Sequence, residues 1–167
     1  MKTLALTGEF AGDLLEEESA CRELLSARLR KDGADATSAA NARAALGKIL
    51  IARQKFTDAE PVLREALAVF EKKLGRDSQT FNARSLLGGA LAGQKKFAEA
   101  EPLLVSAYGG LMQHKKTTPA KGDMRVQEGS DRLVQLYKDW GQPAKAAEWQ
   151  QKLDALNASA PPPAAGK

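Results

Sequence analysis

The sequence predicts an all-α protein, a solenoid in which antiparallel helix pairs stack into a right-handed superhelix. A segment of 26 residues recurs 41 residues later with half of its positions identical, and such periods are typical of repeat architectures. Within each copy the apolar residues return every three to four positions, as they do on one face of an α-helix. Aromatic residues make up only 5% of the chain. Helices packed through small side chains are therefore favoured over a β-sandwich.

The internal repeat is clearest where short motifs recur in register. Asn41-Ala42-Arg43 returns as Asn82-Ala83-Arg84, and Ala59-Glu60-Pro61 returns as Ala100-Glu101-Pro102. The other identical pairs are Leu46 and Leu87, Gly47 and Gly88, Leu50 and Leu91, Lys55 and Lys96, Phe56 and Phe97, Leu63 and Leu104, and Ala66 and Ala107. Because thirteen of 26 positions match without a gap, we predict two successive copies of one structural unit.

Each copy is predicted to fold as a helical hairpin. The apolar face of the first helix consists of Ala42, Ala45, Leu46, Ile49 and Leu50. Thr57-Asp58-Ala59-Glu60 then predicts a capping box, with Thr57 as the N-cap of the second helix. The apolar face of that helix consists of Leu63, Ala66, Leu67, Phe70 and Leu74. Gly75 is expected to end it in a left-handed conformation, and Asp77 or Ser78 to cap the next helix.

Small residues mark the predicted contacts inside each hairpin. Gly47 and Gly88 lie in the first helices, and Ala59 and Ala100 lie in the second helices. A glycine inside a helix costs about 1 kcal/mol relative to alanine. We therefore expect close packing between the paired helices to offset that cost.

A third, weaker copy follows an insertion, for which the polar stretch 115–122 is predicted as a loop. Its matching residues are Leu133, Leu136, Tyr137, Gly141 and Ala146. Gly8-Glu9-Phe10 is predicted as a turn, so that 1–7 is the remnant of a helix in a longer protein or in a degenerate cap. The predicted units are 1–35 (truncated or capping N-terminal repeat), 36–77 (repeat 1), 78–121 (repeat 2 with the loop), 122–156 (repeat 3) and 157–167 (disordered tail). The predicted helices are 13–31, 36–53, 57–74, 78–95, 98–114, 123–140 and 143–156.

These motifs resemble the tetratricopeptide repeat family, in the longer variant found in kinesin light chains and many bacterial proteins. The residues that carry the resemblance are Leu46-Gly47, Leu50, Phe56, Ala59-Glu60-Pro61, Leu63, Ala66 and Leu74-Gly75-Arg76-Asp77, with their later copies. Gly88-Gly89-Ala90-Leu91 and Gln94-Lys95-Lys96-Phe97 are also similar to repeats that follow the kinase domain in some bacterial serine/threonine kinases. The kinesin-type groove often carries Asn at the positions of Ala45, Leu86 and Arg132, so a Lys and Asn carboxylate clamp is not transferred. The resemblance implies scaffolding or partner binding.

No catalytic, cofactor or metal site is predicted. His114 and Cys21 are the only histidine and cysteine of the chain, so no Cys–His pair, Ser–His–Asp triad or cysteine-based zinc site is indicated. The glycine-rich segment 88–95 superficially resembles a phosphate-binding loop. It lacks the Gly-Lys-Ser/Thr ending and follows no predicted strand, so helix packing is the favoured interpretation.

The charge pattern indicates no nucleic-acid or membrane partner. The net charge is only +4, and Lys115, Lys116, Lys121 and Arg125 form a loose basic loop rather than a dense patch. Glu16-Glu17-Glu18 is interpreted as a solvated helix face. No apolar run approaches the roughly 20 residues that span a bilayer, so a soluble, cytoplasmic chain is expected. Trp140 and Trp149 are predicted to seal the C-terminal end of the stack, with a partner contact as the alternative.

The predicted binding surface is the concave face, which the first helices of such a solenoid line. Its candidate residues are Asn41, Ala44, Lys48, Ile51, Asn82, Ser85, Gly89, Gln135 and Lys138, with Ala92, Glu128 and Asp131 on the same stripes. Small side chains in the middle are expected to let a peptide backbone approach, and Asn amides to bond to it. The alternative is ordinary solvated surface.

The leading functional prediction is a non-catalytic scaffold that binds a protein or peptide on this face. One alternative is the C-terminal regulatory or docking region of a bacterial serine/threonine kinase. Another is a structural module that self-associates, with a homodimer as one such state, because about three repeats are near the minimum for a stable solenoid.

Overall fold

The helical periodicity of the sequence appears as seven α-helices in the part of the chain that the computed structural model describes. It describes the backbone of residues 3–117 and 119–159, and the side chains of residues 12–114 and 124–158. The helices are α1 (Thr3–Asp32), α2 (Thr37–Ala52), α3 (Phe56–Leu74), α4 (Ser78–Gly93), α5 (Phe97–Thr117), α6 (Pro119–Asp139) and α7 (Pro143–Ser159). No strand occurs within these ranges, and the predicted all-α class is confirmed.

The helices pack mainly against their neighbours in the chain, as in a solenoid. Three hairpins, α2 with α3, α4 with α5 and α6 with α7, stack in order, and α1 packs on α2. The first helices also pack closely, α2 against α4 and α4 against α6, whereas no Cα atoms of α3 and α5 lie within 8 Å of each other among the described residues. Because the first helices approach more closely than the second helices, they line the concave side of the stack.

Close contact between paired helices occurs at the two predicted glycines. A methyl group built at Gly47 would lie 2.5 Å from Cγ of Leu63, and one built at Gly88 would lie 2.6 Å from Cγ of Leu104. Leu63 and Leu104 are themselves buried and 41 residues apart. The two glycines therefore have the same surroundings, and the predicted close packing is confirmed.

One continuous core runs through the three hairpins. Its largest fully buried side chains are Phe70, Leu46, Leu50, Leu63, Leu86, Leu87, Leu91, Leu104, Leu133 and Leu136. Ala45 was predicted on the buried face of α2 but is exposed, because the contacts of α2 with α3 and α4 centre on Ala42, Leu46 and Leu50.

The turn inside each hairpin has the same backbone structure. Gln54, Lys95 and Gly141 each have a positive φ, of 59°, 62° and 72°. At the first turn the amide of Lys55 donates to the carbonyl of Leu50, and the amide of Gln54 donates to that of Ile51, both at 2.8 Å. The other two turns repeat both bonds. This is the Schellman motif, which normally favours glycine at the left-handed position, and only the third turn has it.

The non-glycine residue at the second turn leads to a stability prediction. We expect Lys95→Gly to raise the free energy of unfolding by about 0.5–1 kcal/mol, because glycine adopts the left-handed conformation without strain. The greater freedom of glycine in the unfolded chain offsets part of this gain. Urea denaturation measures the change. The same substitution at Lys72, an exposed position inside α3, should lower the stability. A decrease with both variants would contradict the prediction.

Two predicted helix ends are confirmed, and one capping box is wrong. Gly75, with a φ of 59°, ends α3, and the carboxylate of Asp77 caps α4 by accepting from the amide of Gln79 at 2.8 Å. However, α3 begins at Phe56, and its N-cap is Lys55, without a side-chain cap. Thr57 therefore lies inside the helix, and Glu60 binds side chains of the next hairpin instead.

Three predicted boundaries also change. The helix α1 continues through the turn expected at Gly8-Glu9-Phe10. The loop expected over 115–122 is absent from the described residues there, since α5 extends to Thr117 and α6 begins at Pro119. The last helix includes 157–159 of the expected tail, and 160–167 lie outside the described residues. None of the described helices is long and apolar enough to cross a bilayer.

The tryptophans lie where the last hairpin meets the second. Trp149 is buried and makes an edge contact with Tyr108, with ring centroids 4.8 Å apart. Trp140 is half-buried and stacks on Phe97 at 5.8 Å. These contacts join α5 to the last hairpin.

Candidate partner-binding groove

The concave side carries a cavity of about 320 Å³ between α2, α4 and the first turns of α6. We call it the concave groove. Its lining residues are Asn41, Ala44, Ala45, Lys48, Phe70, Gln79, Asn82, Leu86 and Arg125. The register of α2 and α4 places residues 41 positions apart side by side, so the two asparagines come from equivalent positions of successive repeats.

Four of the nine predicted residues are brought together in this groove: Asn41, Ala44, Lys48 and Asn82. Ser85 is buried and accepts a hydrogen bond from Arg132 at 3.1 Å. Gly89 lies under the same side chain, because a methyl group built there would be 3.2 Å from Cδ of Arg132. Ile51 is half-buried against the core. The small residue at position 89 thus admits an arginine of the same chain, where a peptide backbone was expected.

The two candidates from the third repeat lie outside the groove. Gln135 is exposed and donates to Asp139 on its own helix at 2.7 Å. Lys138 borders a separate, more apolar cavity at the turn between α6 and α7, which also includes Gly141, Pro143, Ala146, Ala147 and Gln150. Of the predicted stripe on α6, Glu128 reaches the edge of the groove and binds Lys48, whereas Gln135 and Lys138 do not line the groove.

Three amide side chains face the groove without hydrogen-bond partners among the described residues. The amides of Asn41 and Asn82 bond to no described residue. The oxygen Oε1 of Gln79 is buried and also lacks a partner. An unsatisfied buried acceptor costs about 1–3 kcal/mol. Asparagine and glutamine amides offer donors and acceptors together, which is what a peptide backbone requires.

The described charges that line the groove are positive, and a carboxylate at its edge binds one of them. Among the described residues, Lys48 and Arg125 are the charged ones that line the groove, and both are cations. Glu128 of α6 binds Nζ of Lys48 through Oε1 at 3.1 Å and Nη2 of Arg132 through Oε2 at 3.4 Å. Burial raises the pKa of Glu128, but the Lys48 hydrogen bond and the Arg132 charge outweigh it, so the pKa lies below its ordinary value. Burial lowers the pKa of Arg132.

Several of these residues were not identified as candidates from the sequence. Ala45 was assigned to the core, Leu86 was noted only as a departure from the family pattern, and Arg125 was assigned to a basic loop. Gln79 lies 41 residues after Ser38. Because the repeat register does not conserve the amide there, no periodic signal marks this position.

Outside the groove, three glutamates link successive hairpins. Glu18 of α1 is buried and binds Arg53 and Lys55, which lie at the turn between α2 and α3, with Lys55 Nζ at 3.1 Å. Arg22 adds a contact of 2.9 Å from α1 itself. The interpretation of Glu16-Glu17-Glu18 as wholly solvated is therefore wrong for Glu18. The packing of α1 on α2 directs this side chain inward.

The second and third glutamates repeat this arrangement. Glu60 of α3 accepts from Gln94 at 2.8 Å and from Lys96 at 2.9 Å, both at the turn between α4 and α5. Glu101 of α5 accepts from the Tyr137 hydroxyl at 2.7 Å and from Lys145 at 3.0 Å, both in the last hairpin. We call Glu18, Glu60 and Glu101 the inter-hairpin carboxylates.

The pKa values of these groups reflect their partners. Burial raises the pKa of Glu18, but hydrogen bonds from Lys55, Arg22 and Arg53 outweigh it and lower the pKa to about 2. Hydrogen bonds from Lys96, Gln94 and Arg64 lower the pKa of Glu60 to about 2. The pKa of Glu101 is lowered by Tyr137 and Lys145. Burial and the bond to Glu101 raise the pKa of Tyr137 to about 12.

The described side chains include no group of three or more His, Cys, Asp or Glu residues placed to hold a metal ion. His114 hydrogen-bonds through Nε2 to the carbonyl of Arg76 at 2.8 Å and packs near the ring of Phe81. This histidine therefore contributes to the contact between α5 and the start of α4.

Comparison with known proteins identifies the repeat. Residues 35–111 match the family model for the tetratricopeptide repeat. The structure is similar to that of BtubC (BKLC) from P. vanneervenii, with a TM-score of 0.71 and 16% sequence identity. The match covers 93% of this chain and 63% of that chain, and at this identity it shows the fold alone. No curated protein sequence matches the chain.

Proposed function

We propose that the concave groove binds an extended segment of a partner protein or peptide. Residues 35–111 of the chain belong to the tetratricopeptide repeat family. Tetratricopeptide repeats generally mediate protein–protein interaction. The observation that carries the proposal is the set of three amides, Asn41, Gln79 and Asn82, that face one groove without partners among the described residues.

The dimensions and chemistry of the groove suit a peptide main chain. Asn41 and Asn82 project from neighbouring first helices, so each can bond to a different peptide unit of one extended strand. Ala44, Ala45 and Leu86 provide an apolar floor between the amides. Binding of this kind occurs through hydrogen bonds and shape, and it requires no reacting group.

The test uses peptides selected for binding. Random twelve-residue peptides displayed on phage are selected on the purified chain, and the Kd of each selected peptide is measured by calorimetry. We expect the Asn41→Ala/Asn82→Ala variant to bind the selected peptides about tenfold or more weakly, because up to four hydrogen bonds of about 0.5–1.5 kcal/mol are removed.

The control is the Gln113→Ala/Gln151→Ala variant, which removes two exposed amides from α5 and α7. It should bind like the unaltered chain. Peptides that bind both variants with unchanged Kd, or that lose affinity equally for both, would show that the groove is not the binding site.

A further inference from the structure

The groove-facing charges indicate what kind of segment fits. Among the described residues, the charged ones that line the groove are Lys48 and Arg125, both cations, and no described carboxylate lines it. Positive groups in a concave, partly desolvated surface attract a negatively charged occupant. The inference below rests on the function proposed above and specifies the partner.

One carboxylate of the chain already binds one of these cations, Lys48. Glu128 and Lys48 are separated by 80 residues and belong to α6 and α2, which are not neighbours in the stack. Their contact spans α4, the helix that packs against both α2 and α6 and in which Gly89 leaves room for Arg132. The Glu128 carboxylate thus occupies the position on Lys48 that an acidic side chain of a bound segment would take.

The contact between Lys48 and Glu128 is weak enough for another carboxylate to replace Glu128. The side chain of Lys48 is 56% exposed and that of Glu128 is 28% exposed. Exposed ion pairs contribute little to stability, so another carboxylate can replace one at low cost. Arg132 is better fixed, because it keeps its hydrogen bond to Ser85 when Glu128 moves.

We propose that the concave groove takes an acidic segment, and that Glu128 acts as an internal competitor which releases Lys48 when a carboxylate of the partner arrives. In the absence of a partner, the Glu128 side chain is bound to Lys48 and competes for that position in the groove. Selectivity follows, because a neutral or basic segment gains nothing from displacing Glu128.

The test compares two blocked twelve-residue peptides, one alternating Glu and Ser and the other alternating Gln and Ser, by fluorescence anisotropy at low salt. We expect Glu128→Gln to bind the Glu peptide about three- to tenfold more tightly, since the competing charge is removed. Lys48→Gln should bind it more weakly by a similar factor. Both variants should change binding of the Gln peptide much less than binding of the Glu peptide, because the Gln peptide carries no carboxylate to pair with Lys48 or to compete with Glu128.

Controls separate local from general effects. Glu148→Gln removes an exposed carboxylate of α7 that pairs only with Lys152 among the described residues, and it should leave both peptides unchanged. Circular dichroism and thermal melts check that Arg132 tolerates the loss of its carboxylate partner. Equal gains with Glu148→Gln would reveal a net-charge effect and overturn the proposal.

The outcomes also distinguish this inference from the proposed function. If the asparagine double variant loses its selected peptides while Glu128→Gln does not tighten binding of the Glu peptide, the groove stands and the acidic partner is wrong. Failure of the Glu peptide to bind at millimolar concentration overturns the proposal as well. Tighter binding of a Lys and Ser peptide would indicate a basic partner instead.

Discussion

Replacing Gly88 with alanine is expected to lower the free energy of unfolding by up to about 2 kcal/mol, although alanine is the better helix former. The added methyl group would lie 2.6 Å from Cγ of Leu104, which has no room to retreat because it is fully buried. Overpacking of this size typically costs about 1–3 kcal/mol, and the gain of about 1 kcal/mol in helix propensity offsets only part of that cost. Gly47→Ala, which meets Leu63 in the same way, should behave alike.

The matched control is Gly109, an exposed residue inside α5. A methyl group built there meets nothing within 4 Å. We therefore expect Gly109→Ala to raise the stability by up to about 1 kcal/mol. Urea denaturation of the three variants gives the signs directly. Stabilisation by Gly88→Ala would show that paired helices do not touch at that point.

A double-variant cycle identifies the colliding partner. Leu104→Ala alone creates a cavity and should cost about 2–5 kcal/mol. When it is combined with Gly88→Ala, the new methyl group enters the vacated space. The combined loss should therefore be smaller than the sum of the single losses, as expected for residues in contact. Strict additivity would contradict the assigned contact.

The second large effect concerns acid unfolding. Glu18→Gln should lower the free energy of unfolding by about 1–2 kcal/mol at pH 7 and leave it almost unchanged near pH 2. The pKa of Glu18 is lowered from 4.5 to about 2, so its contribution is present above pH 4.5 and is lost as the pH falls through about 2. The shift corresponds to about 3 kcal/mol at most, and the partial exposure of Arg53 and Lys55 reduces this by screening.

The measurement is a series of denaturation curves between pH 7 and pH 2. Glu60→Gln should show the same pattern, because its pKa is also about 2. The two losses should add in the double variant, since Glu18 and Glu60 share no hydrogen-bond partner among the described residues. Glu148→Gln, at an exposed pair within α7, should leave the acid transition in place. Curves for Glu18→Gln that run parallel to those of the unaltered chain at every pH would contradict the role assigned to Glu18.

The hairpins could be predicted from the sequence because their signals are local. The spacing of apolar residues in Leu46 to Leu74 reports burial one turn at a time, and Gly75 and Asp77 act within a few residues of their own positions. The recurrence of Gly47 as Gly88 also predicted a shared contact. These features need no knowledge of how one hairpin sits on the next.

The remaining features depend on that stacking. Glu60 fits a capping box in the sequence, yet the structure pairs it with Lys96, which lies 36 residues away. The recurrence of Ala59-Glu60-Pro61 and of Lys55-Phe56 in register was the available signal for these pairs. The contacts of Glu18 and Gly89 could not be predicted for the same reason. The side chains that contact them, Lys55 and Arg132, belong to distant parts of the sequence.

The contact between Lys48 and Glu128 has a mechanical consequence. In a solenoid whose units contact mainly their neighbours, small rotations between successive units set the curvature. The contact between Lys48 and Glu128 joins the first hairpin to the third, so it constrains that curvature. Breaking the contact between Lys48 and Glu128 removes this constraint without unfolding any helix, so the curvature of the stack is then set by the contacts between neighbouring hairpins.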